Sequence, residues 1–148
     1  MRKVPDPEYM NQVIASLEKA FYDERGRGGR YRTTLVGTGY FEPLLEAAHG
    51  RNWRETLDSV CDSLTRSNIA DRMTVEYDGQ NVLLVEVSGC VHGSFHSAEG
   101  VEPFVCPPGN AVMRVFSKAF GVHPELMSIT CTGTGCRMSL VVPGAKLD

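Results

Sequence analysis

The spacing of apolar residues changes at residue 72, and this change constrains the fold more than any other feature. Before it, apolar side chains recur at helical spacing, as they do between Met10 and Phe21. After it, they alternate in "MTVEY", which is followed by the turn signal "DGQN" and a second apolar run, "VLLVEVS". We therefore predict an α+β fold, with helices packed on an antiparallel sheet that is built from hairpins.

The helical segments carry recognisable start and stop signals. Asp6 and Pro7 suit the start of a first helix, in which Met10, Val13, Ile14, Leu17 and Phe21 recur at helical spacing. Asn52 is a candidate N-cap for a helix that places Leu57, Val60, Cys61 and Leu64 on one face, so Cys61 is predicted to be a core thiol. A further helix should begin near Asn110 and end at Gly121.

Length and charge limit the organisation and the partners. The 148 residues suit a single domain over 1–148, with 1–70 mainly helical and 71–148 containing the sheet, a long loop and one helix. A net charge of −3 gives no general attraction to nucleic acid or to an anionic membrane, so neither is expected as a partner. With no apolar segment of ~20 residues and no apolar secretory signal, the protein is predicted to be cytoplasmic. A homodimer is possible.

Two cysteines flank the tight turn in "SITCTGTGCRMSL". If Gly133 and Thr134 are the central residues of a type II′ turn, Cys131 lies directly opposite Cys136. Directly opposed residues share a sheet face, with Cβ atoms about 4.5–5.5 Å apart. This separation is long for a relaxed disulfide, which prefers ~3.8 Å, and it suits two thiolates that share one zinc ion.

The loop over residues 89–110 supplies further possible ligands. It contains Cys90, His92, His96 and Cys106, and loops of this length in compact domains are often functional. Four thiols, those of Cys90, Cys106, Cys131 and Cys136, would make a tetrahedral zinc site. An iron–sulfur cluster is a second choice of cofactor for the same thiols. The alternatives are a disulfide and ordinary buried thiols.

The second half of the chain resembles the 4-vinyl-reductase domain family, also described as predicted hydrocarbon-binding domains. The resemblance is carried by "VEVSGCVH", by "PFVCPPGNAVMRVFSKAFG", and by a late cysteine pair around a turn that leads into "CRMSLVV". It covers roughly residues 35–142, and its motifs begin at residue 86. The family fold is similar to that of haem nitric-oxide sensors and of TRAPP tethering subunits, so the resemblance implies a mixed helix and antiparallel-sheet domain.

The resemblance also implies a set of zinc ligands. In regulators of this family a zinc is held by the cysteine that enters the helix, by a glutamate before the late pair, and by both late cysteines. Here these positions are Cys106, Ser128, Cys131 and Cys136. Because the glutamate is replaced by Ser128, either Cys90 or His92 would complete the site.

Three classes of function follow from these observations. The resemblance implies a binding or carrier domain for a hydrophobic, aromatic or tetrapyrrole-like small molecule, with a structural metal site. The first alternative is a zinc-dependent or reductase-type enzyme of tetrapyrrole metabolism, with Glu99 or Glu102 as general base. "GTGYFE" lacks the third glycine of a dinucleotide-binding motif and gives this alternative little support. The second alternative is an assembly or interaction subunit, and a redox role for Cys131 and Cys136 is a further option.

Overall fold

A computed structural model describes residues 6–26, 36–39, 42–43, 52–92, 106–131 and 133–143. Within these ranges, the side chains of Glu8, Asn11, Gln12, Ala15, Tyr22, Ala119 and Cys131 lie outside the description. The part of the predicted loop over 93–105, with His96, Glu99 and Glu102, also falls outside it. The prediction of a single domain over 1–148 is not tested by these residues.

The described strands form one antiparallel sheet, which confirms the α+β fold. Strand β1 spans Arg72–Tyr77, β2 spans Val82–Ser88, β3 spans Glu125–Cys131 and β4 spans Cys136–Val141. Both predicted hairpins form, β1 with β2 and β3 with β4. They are joined by antiparallel pairing of β2 with β4, so the strand order is β1-β2-β4-β3.

The first hairpin turn is held by one aspartate. Asp78 Oδ1 accepts hydrogen bonds from the backbone N–H groups of Gln80, Asn81 and Val82 at 2.8–3.0 Å. These donors lower the pKa of the Asp78 carboxyl, because each of them stabilises its charged form. The "DGQN" sequence therefore favours a turn because the Asp78 side chain accepts hydrogen bonds from the backbone N–H groups of that turn.

Helices cover one face of the sheet. Helix α1 spans Pro7–Arg25, α2 spans Trp53–Arg66 and α3 spans Pro107–Phe120. The predicted cap of α2 is confirmed, since Asn52 Oδ1 accepts a hydrogen bond from Glu55 N at 2.9 Å. Alternate residues of β2 and β4 point into a core that they share with the apolar faces of α2 and α3; the members with no more than 1% exposure include Leu57, Leu64, Leu83, Val85, Val87, Val112, Phe116, Met138 and Leu140.

Helix α3 ends as predicted and also holds a remote segment. Gly121 stops the helix in the left-handed region at φ 64°, with its backbone N–H bonded to Phe116 O. Along the outer side of α3, Asn110 Nδ2 donates to Val36 O at 2.9 Å, and Glu42 pairs with both Arg114 and Lys118. Val36 and Glu42 therefore lie alongside α3, a contact that the sequence did not predict.

Most of the apolar stripe of α1 is exposed. Met10, Ile14 and Leu17 are 41%, 44% and 66% exposed, although they recur at helical spacing. Helical spacing predicts the helix itself correctly, but it does not identify the surface that the apolar face covers.

Candidate metal centre

The turn between β3 and β4 packs against the end of β2. Cys131 and Cys136 are Cα partners across the ladder, as predicted, and Gly133 adopts the positive φ, 84°, that the first central position of a II′ turn requires. A Cβ placed on Gly135 would lie only 1.8 Å from Val87 O, so the turn approaches β2 at a distance that only glycine allows. Cys90 N donates to Thr134 O at 3.0 Å and fixes the same junction.

Helix α3 begins next to this turn. Cys106 is its N-cap residue, with extended backbone angles, and Pro107 and Pro108 occupy the first turn, where a missing N–H costs nothing. A Cβ on Gly109 would lie 2.4 Å from Met138 Sδ, so the helix start presses closely on β4. This close packing brings Cys106 to the buried end of the second hairpin.

The thiols of Cys106 and Cys136 are in contact, with their Sγ atoms 3.6 Å apart. Cys136 is buried and Cys106 is half-buried. The pKa of Cys106 is raised well above its ordinary value, chiefly because its thiol is hydrogen-bonded to Cys136, then because it is buried, and then because of the charges of Cys136 and Cys90. A hydrogen bond from the Gly109 backbone N–H acts in the opposite direction.

This geometry fits two ligands of one tetrahedral metal ion. Zinc–sulfur bonds of about 2.3 Å place neighbouring sulfurs of a tetrahedron about 3.8 Å apart, close to the 3.6 Å between Cys106 and Cys136. A divalent cation would bind both sulfurs and stabilise their thiolate forms. The N-terminus of α3 and the Gly109 N–H would also stabilise negative charge on Cys106. An iron–sulfur cluster of the 4Fe–4S type fits less well, because each of its cysteines binds a separate iron atom.

The other predicted ligands occupy different places around the pair. Cys90 is buried and lies within electrostatic range of Cys106. His92 lies two residues further along the chain and is half-exposed. Cys131 has its backbone opposite Cys136, and its side chain is outside the description. Among the described side chains, no three ligand-type residues lie close enough together to hold an ion. A complete site therefore needs Cys131, a rearrangement that brings Cys90 to the pair, or both.

The sequence predicted the cysteines but not the residues that let them meet. Cys106 and the late pair were expected at one site; the contact that the structure describes joins Cys106 to Cys136, and the side chain of Cys131 lies outside the description. Gly109 and Gly135 make this approach possible, and neither was singled out. A glycine three residues after a helix-entry cysteine, and another immediately before a strand cysteine, were the available signals.

Comparisons with known proteins give little beyond the fold. No family model and no curated protein matches the sequence. Five chains of solved structures match. One belongs to work probing the function of heme distortion in the H-NOX family; it is 14% identical, the match covers 96% of this chain and 73% of that chain, and the TM-score is 0.44. This low score supports no inference about ligand or activity.

The strand order and the thiol contact define the class of protein as an α+β domain with a cysteine-rich junction between a helix start and a hairpin turn. Membership of the 4-vinyl-reductase family remains a prediction from the sequence motifs. In the part of the chain that the structure describes, no helix combines the length and the apolar character needed to cross a membrane.

Proposed function

We propose that the chain is a small-molecule binding domain whose fold is held together by a zinc ion at Cys106, Cys136, Cys90 and Cys131. The observation that carries the metal site is the 3.6 Å contact between Cys106 Sγ and Cys136 Sγ, at the point where α3, the end of β2 and the second hairpin meet. An ion at this point would join three elements that are distant in sequence. Its binding free energy would then contribute directly to folding.

Cys90 is a better third or fourth ligand than His92. Cys90 is buried within electrostatic range of Cys106, and its backbone N–H is bonded to Thr134 O in the turn before Cys136. His92 is half-exposed and lies beyond that bond. Four thiolates would close the coordination sphere and leave no position for a substrate or a reactive water. This favours a structural role for the metal, and a binding domain over the zinc-dependent enzyme.

The metal site is tested by measuring the metal in protein purified without chelator or added metal. Elemental analysis should give one zinc per chain in the natural protein and in Cys61→Ser, and close to none in Cys106→Ser. Cys61 is a matched control because it is a buried thiol on α2, within the core and outside the junction. Full occupancy in Cys106→Ser would disprove the site.

The proposal of a hydrophobic, aromatic or tetrapyrrole-like ligand is supported by the sequence motifs between residues 86 and 142. Native mass spectrometry of the same preparation would detect a co-purified ligand as added mass that is lost under denaturing conditions. Titration with a porphyrin and with a simple aromatic compound would then separate the two ligand classes. If neither binds and nothing co-purifies, the assembly-subunit alternative is favoured. The cytoplasmic location and the homodimer remain predictions.

A further inference from the structure

Cys106 and Cys136 are also placed to form a disulfide with each other. Their sulfurs are 3.6 Å apart, and shortening this distance to the ~2.05 Å of a disulfide requires a movement of only about 1.5 Å. Cys106 can supply this movement, because it is the N-cap residue just outside the first turn of α3 and is only half-buried. Cys131 and Cys136 are less favourable partners, because directly opposed residues hold their Cβ atoms about 4.5–5.5 Å apart.

We propose that the metal centre is sensitive to oxidation, and that a peroxide converts Cys106 and Cys136 to a disulfide and releases the metal. This inference rests on the proposed zinc site. Metal binding keeps both sulfurs as thiolates, which is the form that reacts with peroxides. Cys106 is the half-buried member of the pair and is reached first, whereas Cys136 is buried behind it.

The reaction balances with hydrogen peroxide as the only oxidant. The Cys106 thiolate attacks one peroxide oxygen, the O–O bond breaks, and a sulfenic acid and a hydroxide ion form. The Cys136 thiolate then attacks the Cys106 sulfur, a sulfur–sulfur bond forms and a second hydroxide leaves. Two electrons pass from the two thiolates to the peroxide, and both hydroxide ions take up protons from water.

Loss of these two ligands would leave Cys90 and Cys131, and two thiolates do not fill the tetrahedral site of a structural zinc. The new disulfide would still join the start of α3 to β4, so the core contact between helix and sheet would be kept. The end of β2 at Cys90 would lose its link through the metal to α3. A thiol reductant would break the disulfide and allow the metal to bind again.

The experiment treats metal-loaded protein with hydrogen peroxide in the presence of a chromogenic zinc chelator, and maps disulfides by mass spectrometry without reduction. We expect one zinc released per chain, a Cys106–Cys136 crosslink, and recovery after reductant and zinc are added. Cys61→Ser should behave identically. Retention of zinc, a Cys131–Cys136 crosslink, or overoxidation of single cysteines without a crosslink would overturn the inference.

A second measurement separates failure of this inference from failure of the zinc site. Protein stripped of metal with a chelator is treated with peroxide and mapped in the same way, and the Cys106–Cys136 crosslink should form there more slowly, because the metal no longer holds both sulfurs as thiolates. If the purified protein holds no metal, the proposed zinc site fails, and the crosslink alone decides whether the pair is redox-active. If zinc is present but peroxide leaves both the metal and the thiols unchanged, only the oxidation inference fails.

Discussion

Replacement of Gly135 by alanine should be among the most damaging single-methyl changes in this chain. The new Cβ would lie 1.8 Å from Val87 O and 2.8 Å from the Val87 carbonyl carbon, and both atoms belong to the backbone of a central strand. Because no flexible side chain can move aside, the turn must shift away from β2 by about 1 Å. Overpacking of this kind typically costs about 1–3 kcal/mol, and a rigid neighbour favours the upper end.

Urea denaturation measures this cost directly. With a urea m value of about 1.5 kcal/mol/M, a loss of ~3 kcal/mol moves the unfolding midpoint down by ~2 M. Gly133→Ala, two residues earlier in the same turn, is the matched control. A Cβ there meets nothing within 4 Å, but φ is 84°, so alanine costs only the backbone strain of the positive φ, about 1–2 kcal/mol.

Hydrogen exchange tests the physical reason for the difference. If the turn moves away from β2, the hydrogen bond from Cys90 N to Thr134 O weakens, and the Cys90 amide should exchange faster in Gly135→Ala than in Gly133→Ala. The reasoning is refuted if Gly135→Ala costs no more than Gly133→Ala, or if exchange at Cys90 is the same in both variants.

Other parts of the fold give predictions that are independent of the metal. Asn52→Ala should lower the free energy of unfolding by ~1 kcal/mol, measured by urea denaturation, because Glu55 N loses its capping acceptor. Cys61, whose pKa burial raises to about 12, should resist alkylation by iodoacetamide at pH 8 in the folded protein and react fully in denaturant. Lys118 and Arg114 lower the pKa of Glu42 below its ordinary value of 4.5, so its stabilising effect is complete above that pH and is lost as the pH falls through the lowered pKa. Glu42→Gln should therefore make the free energy of unfolding less dependent on pH below about 4.5, measured by urea denaturation at a series of pH values. High salt should reduce the difference in stability between the natural protein and Glu42→Gln.

Capping and turn residues in the sequence correctly predicted the helix ends and hairpins that depend only on residues close together in the chain. The caps at Asn52 and Gly121 and the two hairpins are set by hydrogen bonds and backbone angles within a few residues, and all of them form. The pairing of β2 with β4 could not be predicted from such local sequence signals. It depends on the inward faces of the two hairpins fitting the same helices, which is a property of the assembled core.

The difference between local signals and contacts set by the assembled core also explains the exposure of α1 and the arrangement of the cysteines. The apolar spacing of α1 predicted a helix, but Met10, Ile14 and Leu17 lie exposed, since periodicity does not specify a partner surface. The hairpin predicted that Cys131 and Cys136 are opposed, and the register confirms this. The contact of Cys106 with Cys136 needed the position of α3 on the sheet, which two glycines permit and the cysteine spacing alone does not reveal.

A zinc centre and a cluster of ordinary buried thiols predict different responses of stability to free metal. An ion that binds only the folded chain adds RT ln(1 + [zinc]/Kd) to the free energy of unfolding, which is ~4 kcal/mol when free zinc is 1,000 times Kd. A strong chelator should therefore lower the urea midpoint of the natural protein and of Cys61→Ser, and restored zinc should raise it again. In Cys106→Ser, chelator and zinc should have no effect, because one of the two sulfurs in contact is missing. If the midpoint of the natural protein is the same with chelator and with zinc, the thiols are only packed together, and the contact between Cys106 and Cys136 serves the core alone.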